Sequence, residues 1–282
     1  MVYQENLKIG FIQTIVESDV AWPKNAPNKM SIHSEEKAWY EIKKGFVDLM
    51  NGYGKPNIIL IPELSVPLGY EYELRKLSAS SGAIVIAGLD FVWNGNCVSN
   101  KAVVIVPKNW PEDQKSRSTS FFYFGKTFYS RYEEEMFAGA TLLSQPEIFI
   151  LDADEFGKIG IAICSDFFDI ERFVVYKGRI HHLVIIAHNP DTESYYFLAE
   201  AISRLVFCNV VICNTGEFGD SIGFSPFKDS FKRIIYRHKG QNLFSTQVIS
   251  LPVSSLDAEQ QKKIDPKKKK FKATPPGYEK FE

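Results

Sequence analysis

Three side chains able to carry acyl chemistry each sit at the end of, or within, an apolar strand-like run. Cys164 closes the stretch from Gly157, in which Ile159, Ile161 and Ile163 alternate with Gly160 and Ala162. One face of that run is bulky, and the other lets a backbone or helix come close. A thiol at the carboxyl end of a buried strand, beside a turn, stands where α/β proteins place reactive groups. Its chemistry would be nucleophilic, and the attacking thiolate needs a base and a positive neighbourhood to form near neutral pH. Glu63 follows the apolar run Ile58 to Pro62, and Lys126 lies in the aromatic run Phe121 to Phe128. A cation among so many aromatics is costly unless paired, so Lys126 is expected to meet a carboxylate. Each has a plainer reading alone: a core thiol, a helix-entry glutamate, and an edge-strand lysine with its head in solvent.

The elements that must position these residues follow from periodicity. Leu7 to Thr14, Asn57 to Ile61, Ala83 to Gly88, Lys101 to Val106, Ser120 to Phe128, Glu147 to Leu151, Leu183 to Ala187 and Val210 to Cys213 read as strands. The strand at Asn57 shows no alternation, which predicts burial on both faces, and it is expected to end on Pro62-Glu63. Apolar residues at helical spacing predict helices over about 33–50, 70–81, 169–177 and 194–207. Ser221 to Leu251 is β-like, with turns near Pro226 and at Lys239-Gly240. Strand–helix–strand order with buried strands argues for helices packed against internal sheets.

With 282 residues, 45% hydrophobic and 24% charged, the chain can bury a sizeable core, and its net charge of −1 gives no global argument for nucleic acid or membrane. No run reaches the roughly 18 apolar residues of a membrane helix. The amino-terminal residues show no secretory pattern, and four cysteines do not make a disulfide framework, so a cytoplasmic setting with reduced thiols is expected. Cys208 and Cys213 lack partners at zinc-ligand spacing and are expected in the core; no metal site and no cofactor are expected.

In the order Glu63, Lys126, Cys164, the motifs resemble the nitrilase superfamily of carbon–nitrogen hydrolases. Leu7 to Gln13 resembles its opening strand, Ile61-Pro62-Glu63-Leu64 its catalytic-base motif, and Lys126-Thr127-Phe128 with Glu133 to Gly139 its lysine motif. Gly160 to Asp166 matches its nucleophile strand. Asn214-Thr215-Gly216 and Gly223-Phe224-Ser225 look like its later turns. The resemblance implies an α/β fold of four layers, an α-β-β-α sandwich with two central mixed sheets, over residues 1–255. It also implies a homodimer or higher homo-oligomer.

The implied function is hydrolysis of a non-peptide C–N bond, an amide rather than a nitrile or carbamoyl amine, through a thioester on Cys164. Glu63 would accept the thiol proton and hand it to the departing amine, then activate water. Lys126 and the backbone N–H of Ser165 would stabilise the oxyanion. A second glutamate would orient the lysine; Glu133, Glu134 and Glu135 are the candidates, with Glu133 chosen on its spacing to Phe137. His188, ending a strand near the pocket, is the candidate for substrate contact. A papain-like partnership of Cys164 with His181, His182 or His188 has no supporting motif.

The chain departs from the pattern in three places. Phe168 stands where the family has an arginine, Ser165 replaces a bulky residue, and the helix motif survives only as Arg204-Leu205, with Asn209 one residue too far on. These departures keep open an alternative: a weakly active or inactive nitrilase-like subunit serving assembly or partner binding. Residues 256–282 form a Lys-rich arm, with Lys262, Lys263, Lys267 to Lys270 and Lys272. Such a run is ordinarily a solvated arm, or else docks on an acidic partner or nucleic acid, with Tyr278 and Phe281 as the anchoring aromatics.

Overall fold

The computed structural model describes residues 2–281, apart from 25–26, 53, 113 and 264–269. Two six-stranded mixed sheets carry the architecture. In the first, Ser245–Pro252 pairs antiparallel with Asn6–Gln13, followed by Ile58–Val66 and Ile84–Leu89 in parallel, then Lys101–Pro107 and Thr119–Gly125 antiparallel. In the second, Lys158–Ile163, His182–Ala187 and Asn209–Asn214 run parallel, flanked by Ile150–Asp152 on one side and by Ser221–Phe224 and Ile234–His238 on the other. Among the described residues no helix is long and apolar enough to cross a membrane.

Period-two alternation in the first sheet splits its side chains between two cores. Ile58, Leu60, Ile84 and Ile86 join a cluster with Ile159, Ile161, Val184 and Val211 of the second sheet, so one core lies between the sheets. Ile59, Ile61, Val85 and Ala87 instead pack with Trp39, Ile42, Phe46 and Leu74 from the helices Ile32–Asn51 and Glu71–Ser81. Helices Ile170–Tyr176 and Thr192–Ile202 cover the other side of the second sheet, completing the α-β-β-α sandwich. The glycine face of the strand Lys158–Ile163 is used as its small residues suggest. A Cβ on Gly160 would lie 2.9 Å from the Tyr176 ring, and the Tyr176 hydroxyl donates to the Ile161 carbonyl at 2.9 Å.

Three local expectations are corrected. The strand after Asn57 does not stop at Pro62-Glu63 but runs to Val66, buried throughout. Pro62 has no ladder donor, and pairing jumps from Ile61 opposite Ala87 to Val66 opposite Leu89, so Glu63 sits on an irregular segment with Leu64 at φ 56°. The aromatic strand ends at Gly125, leaving Lys126 and Phe128 outside it. The fourth helix becomes a π turn over Ser203–Phe207. A π turn holds more residues than an α turn, and it takes up the extra residue before Asn209, which is buried and donates to the Pro252 carbonyl at 2.9 Å.

The carboxyl-terminal segment is not simply a solvated arm. The boundary expected at 255/256 falls inside the helix Ser254–Gln260, whose Leu256 clusters with Phe207, Phe271 and Tyr278. Tyr278 is therefore committed to its own chain rather than free to anchor a partner, whereas Phe281 is exposed. Lys267 to Lys269 lie outside the described residues; Lys262, Lys263 and Lys270 are exposed.

Candidate active site

Glu63, Lys126 and Cys164 line one cavity of about 520 Å³, together with Glu133 and His188. Lys126 and Cys164 follow directly on the last residues of their strands, and Glu63 sits on the irregular segment between Ile61 and Val66, so each lies where the regular ladder gives out and side chains can turn inward. Beneath Glu63 the neighbouring strand carries Gly88, where a Cβ would fall 2.3 Å from the Glu63 Cα; no other residue fits that approach.

Lys126 is 1% exposed, and its ammonium donates to Glu63 Oε1 at 2.8 Å and to Glu133 Oε2 at 2.6 Å. Burial alone would favour the neutral amine, but Glu63, Cys164 and Glu133 hold its pKa well above the ordinary value. The cation expected to need a carboxylate has two. Burial would likewise raise Glu133, yet Lys126 overrides it and holds the carboxyl below its ordinary value. Of the three consecutive glutamates only Glu133 reaches the lysine, because it is the third residue of the helix Arg131–Met136 and its capping box turns it back. Ser130 N–H and Oγ each donate to Glu133 Oε2 at 2.8 Å. Glu134 is exposed, and Glu135 pairs with Arg131 at the surface.

Glu63 has two partners besides Lys126. The His188 backbone N–H donates to Oε2 at 2.9 Å, and Asn100 Nδ2 donates to Oε1 at 2.8 Å. The same Asn100 nitrogen reaches Glu133 Oε1 at 2.8 Å. Asn100 thus ties both carboxylates, while its backbone carbonyl takes the Lys126 N–H at 2.9 Å. Sequence reasoning missed Asn100. An asparagine just before a strand at Lys101 reads as a turn residue, and only the antiparallel pairing of Lys101 with Gly125 brings it beside Lys126.

Cys164 opens the 3-10 turn Cys164–Phe168 with φ 45°, a left-handed conformation that lifts its side chain out of the strand's alternation. Burial, and then the Glu63 charge, push its thiol up to about 12 against the pull of Lys126. At rest it is a neutral thiol whose ionisation must be coupled to proton removal. Ser165, on the same turn, donates its hydroxyl to the Phe128 carbonyl.

Asp166 accepts the N–H of Phe128 at 2.9 Å and of Thr127 at 3.1 Å, fastening the loop after Lys126 to the turn that Cys164 opens. No arginine stands at position 168, and the guanidinium beside Asp166 comes from further along the chain. Arg172, one turn into the next helix, approaches Asp166 Oδ2 at 3.6 Å and donates to Thr127 Oγ1 at 3.0 Å, while Phe168 is exposed. Its signal was a basic residue eight positions after the cysteine, on a helix capped by Asp169.

His188 contributes its backbone to Glu63, and its ring Nε2 lies 2.8 Å from Ser18 Oγ and 3.1 Å from Glu217 Oε2. Asn214 holds this corner, donating to the Asn189 carbonyl at 2.9 Å and accepting from Asn189 N–H at 3.0 Å. The remaining walls include Trp22, Phe91, Met136 and Phe218, with Asp19 and Glu217 as acidic members. His181 and His182 lie outside this cavity, in the core: His181 pairs with Asp257 at 3.1 Å, and His182 faces the Phe156 carbonyl.

No family model matches the chain. No curated protein matches it by sequence. Its backbone is similar to solved structures throughout. A carbon–nitrogen hydrolase from Helicobacter pylori superposes with a TM-score of 0.68 at 12% identity, covering 91% of this chain and 93% of that one. A CN-hydrolase superfamily protein from Xanthomonas campestris, with an arsenic adduct in its active site, gives 0.64 at 13% identity over 92% and 95%. A Nesterenkonia amidase variant, carrying the acetamide moiety of fluoroacetamide on its active-site cysteine, gives 0.64 at 12% identity over 93% and 97%. The chain has the nitrilase-type fold.

Proposed function

We propose that this chain is a hydrolase of the nitrilase superfamily that cleaves a small non-peptide amide through a thioester on Cys164. The observation that carries the reading is the buried Lys126 held between Glu63 and Glu133 in the cavity that Cys164 also lines. A lysine with no exposure, locked by two carboxylates, has little structural reason to exist, since apolar residues of similar volume stabilise a core as well or better. The likeness in backbone to an amidase that carries a covalent adduct on its active-site cysteine adds support.

In this reading Glu63 takes the Cys164 proton as sulfur attacks the carbonyl carbon, so the thiolate need not accumulate in the resting site. The negative charge on the carbonyl oxygen is met by Lys126 and the Ser165 N–H. The protonated Glu63 then gives its proton to the departing amine as the C–N bond breaks, leaving the thioester. Water loses a proton to Glu63 and attacks the same carbon, the C–S bond breaks, and sulfur recovers the proton. The Lys126 ammonium keeps its proton throughout. A cavity of about 520 Å³ suits a small acyl group.

The test is to incubate the protein with a panel of amides, carbamoyl amines and nitriles and seek the adduct on Cys164 by mass spectrometry. Acylation by amides, lost in Cys164→Ala, is expected; turnover surviving in Cys164→Ala overturns the mechanism. A subunit without activity would show no adduct with any member of the panel. We further propose that a second copy covers the apolar surface formed by Ile170, Val174, Phe197 and Leu205 on the outer helices, all exposed in the single chain. Sedimentation at twice the chain mass is expected, and a monomer at every concentration would overturn it.

A further inference from the structure

Behind the nucleophile lies a hydroxyl that the proposed chemistry does not use. Tyr195, on the helix Thr192–Ile202, is 2% exposed and points its phenol at Cys164, with Oη 3.5 Å from Sγ. That sulfur is its hydrogen-bond partner. The ring is clamped edge-on by Phe167 at 5.4 Å and contacted by Phe168 at 5.5 Å between centroids. Tyr195 is not a wall of the cavity, so its hydroxyl reaches the sulfur from the protein side and does not compete with substrate.

A buried phenol ordinarily bonds to a carbonyl or carboxylate, stronger acceptors than a neutral thiol. Directed at a thiol, it gains most when the sulfur is anionic, because hydrogen bonds to charged acceptors are about twice as strong as neutral ones. Tyr195 cannot act as the base: burial and the neighbouring Cys164 hold its hydroxyl protonated well above the ordinary phenol range. It is a fixed donor aimed at the reacting atom.

Building on Cys164 as nucleophile, we infer that Tyr195 is a catalytic residue that stabilises the sulfur anion from behind, both as attack begins and as the thiolate leaves the thioester. Its O–H bond stays intact. The thiol proton goes to Glu63 and the electron pair moves between sulfur and the carbonyl carbon, while Tyr195 only donates a hydrogen bond. Phe168 gains a role as well: its ring packs on Tyr195 and helps fix its direction.

The experiment is Tyr195→Phe, which removes one oxygen and keeps the ring contacts, read by the pH dependence of Cys164 alkylation with iodoacetamide and by turnover of the best amide from the panel. The alkylation midpoint is expected to rise by about one pH unit, with kcat falling about tenfold and KM little changed, the scale of a lost charge-assisted hydrogen bond. An unchanged midpoint in a folded Tyr195→Phe protein overturns the inference. Tyr195→Met, which also fills the space without a donor, serves as a second variant if the first does not fold. The two readings fail separately: activity in Cys164→Ala removes the nucleophile, whereas an inactive Cys164→Ala with an unmoved Tyr195→Phe midpoint removes only the tyrosine.

Discussion

Asp166 accepts the backbone N–H of Phe128 at 2.9 Å, so the carboxylate two residues after Cys164 holds the peptide two residues after Lys126. The relative placement of Cys164 and Lys126 is thereby set by one side chain, itself braced by Arg172 at 3.6 Å. Asp166 is 1% exposed and Arg172 3%, and breaking such a buried pair from one side costs about 3–5 kcal/mol. Arg172→Met is expected to lower the urea midpoint and to cut kcat more than tenfold with KM little affected. Lysine at 172 should recover only part of the activity, lacking the second arm that reaches Thr127. Steady-state kinetics beside urea unfolding check this, and full activity in Arg172→Met would show that the loops need no such brace.

Lys126→Met should leave Glu63 and Glu133 facing one another through Asn100 with no cation between them. Glu133, no longer held down by Lys126, would then be raised by burial, so its charged form destabilises the fold as pH rises through that raised value. The variant is expected to lose about 3–5 kcal/mol at pH 7 and to regain part of it at pH 5. The unsubstituted protein should show no such gain from this site. Its Glu133 is held below the ordinary carboxylate value, so that contribution is present above the unfolded value and fades only as pH falls through the depressed one. Urea titrations at the two pH values read the difference, and a parallel pH response in both proteins would argue against the pairing.

Glu63 and Lys126 act on the sulfur with opposite signs. Removing the negative charge in Glu63→Gln should lower the pH midpoint of Cys164 alkylation, because the Glu63 carboxylate helps hold the thiol up, while turnover falls by a factor of 10² or more. Lys126→Met should raise that midpoint. An easier-to-ionise thiol in a dead enzyme would separate the base role of Glu63 from its charge. A midpoint unmoved by either change would mean that the carboxylate and lysine do not act on the thiol.

Gly88→Ala tests how tightly Glu63 is seated. The added methyl would fall 2.3 Å from the Glu63 Cα and 2.7 Å from the Leu64 nitrogen, both backbone atoms that cannot step aside alone. A cost of about 1–3 kcal/mol is expected from overpacking, with kcat reduced at least tenfold as the carboxylate shifts. Activity retained at the original level would show that the segment can move without harm.

The strands and the three candidate residues were legible because strand patterning and separated motifs are local properties of the chain; the sandwich followed from the resemblance that those motifs carry. Ile58 to Ile61 announces a buried strand by itself, and Cys164 announces a strand end. The partners that complete the site are set by tertiary pairing. Asn100 reaches Glu63 and Glu133 only once Lys101 is paired with Gly125. Tyr195 reaches Cys164 only once its helix is laid on the second sheet, and Arg172 reaches Asp166 only once the helix Ile170–Tyr176 has formed. The strand through Pro62 was misjudged because a proline without a ladder donor reads as a terminator, whereas here the sheet resumes after an irregular segment.

The carboxyl-terminal segment carries the last expectation. Phe271 is 1% exposed and Tyr278 4%, and both pack with Phe207 and Leu256. Phe271 also stacks on Phe227 at 4.8 Å between centroids, and the Lys228 N–H donates to the Lys270 carbonyl at 2.9 Å. Removing residues 262–282 would expose an apolar seam on the main body, so it should cost stability as well as any partner contact. Tyr278→Ala is the cleaner change, since it deletes one buried ring and leaves the lysines in place; a loss of about 3–5 kcal/mol is expected from the emptied space. Cys164 acylation, well removed from this seam, should proceed at its normal rate in the folded fraction. Urea unfolding and adduct mass spectrometry on the same sample read the two effects separately, and an unchanged unfolding midpoint would show that the segment merely rests against the surface.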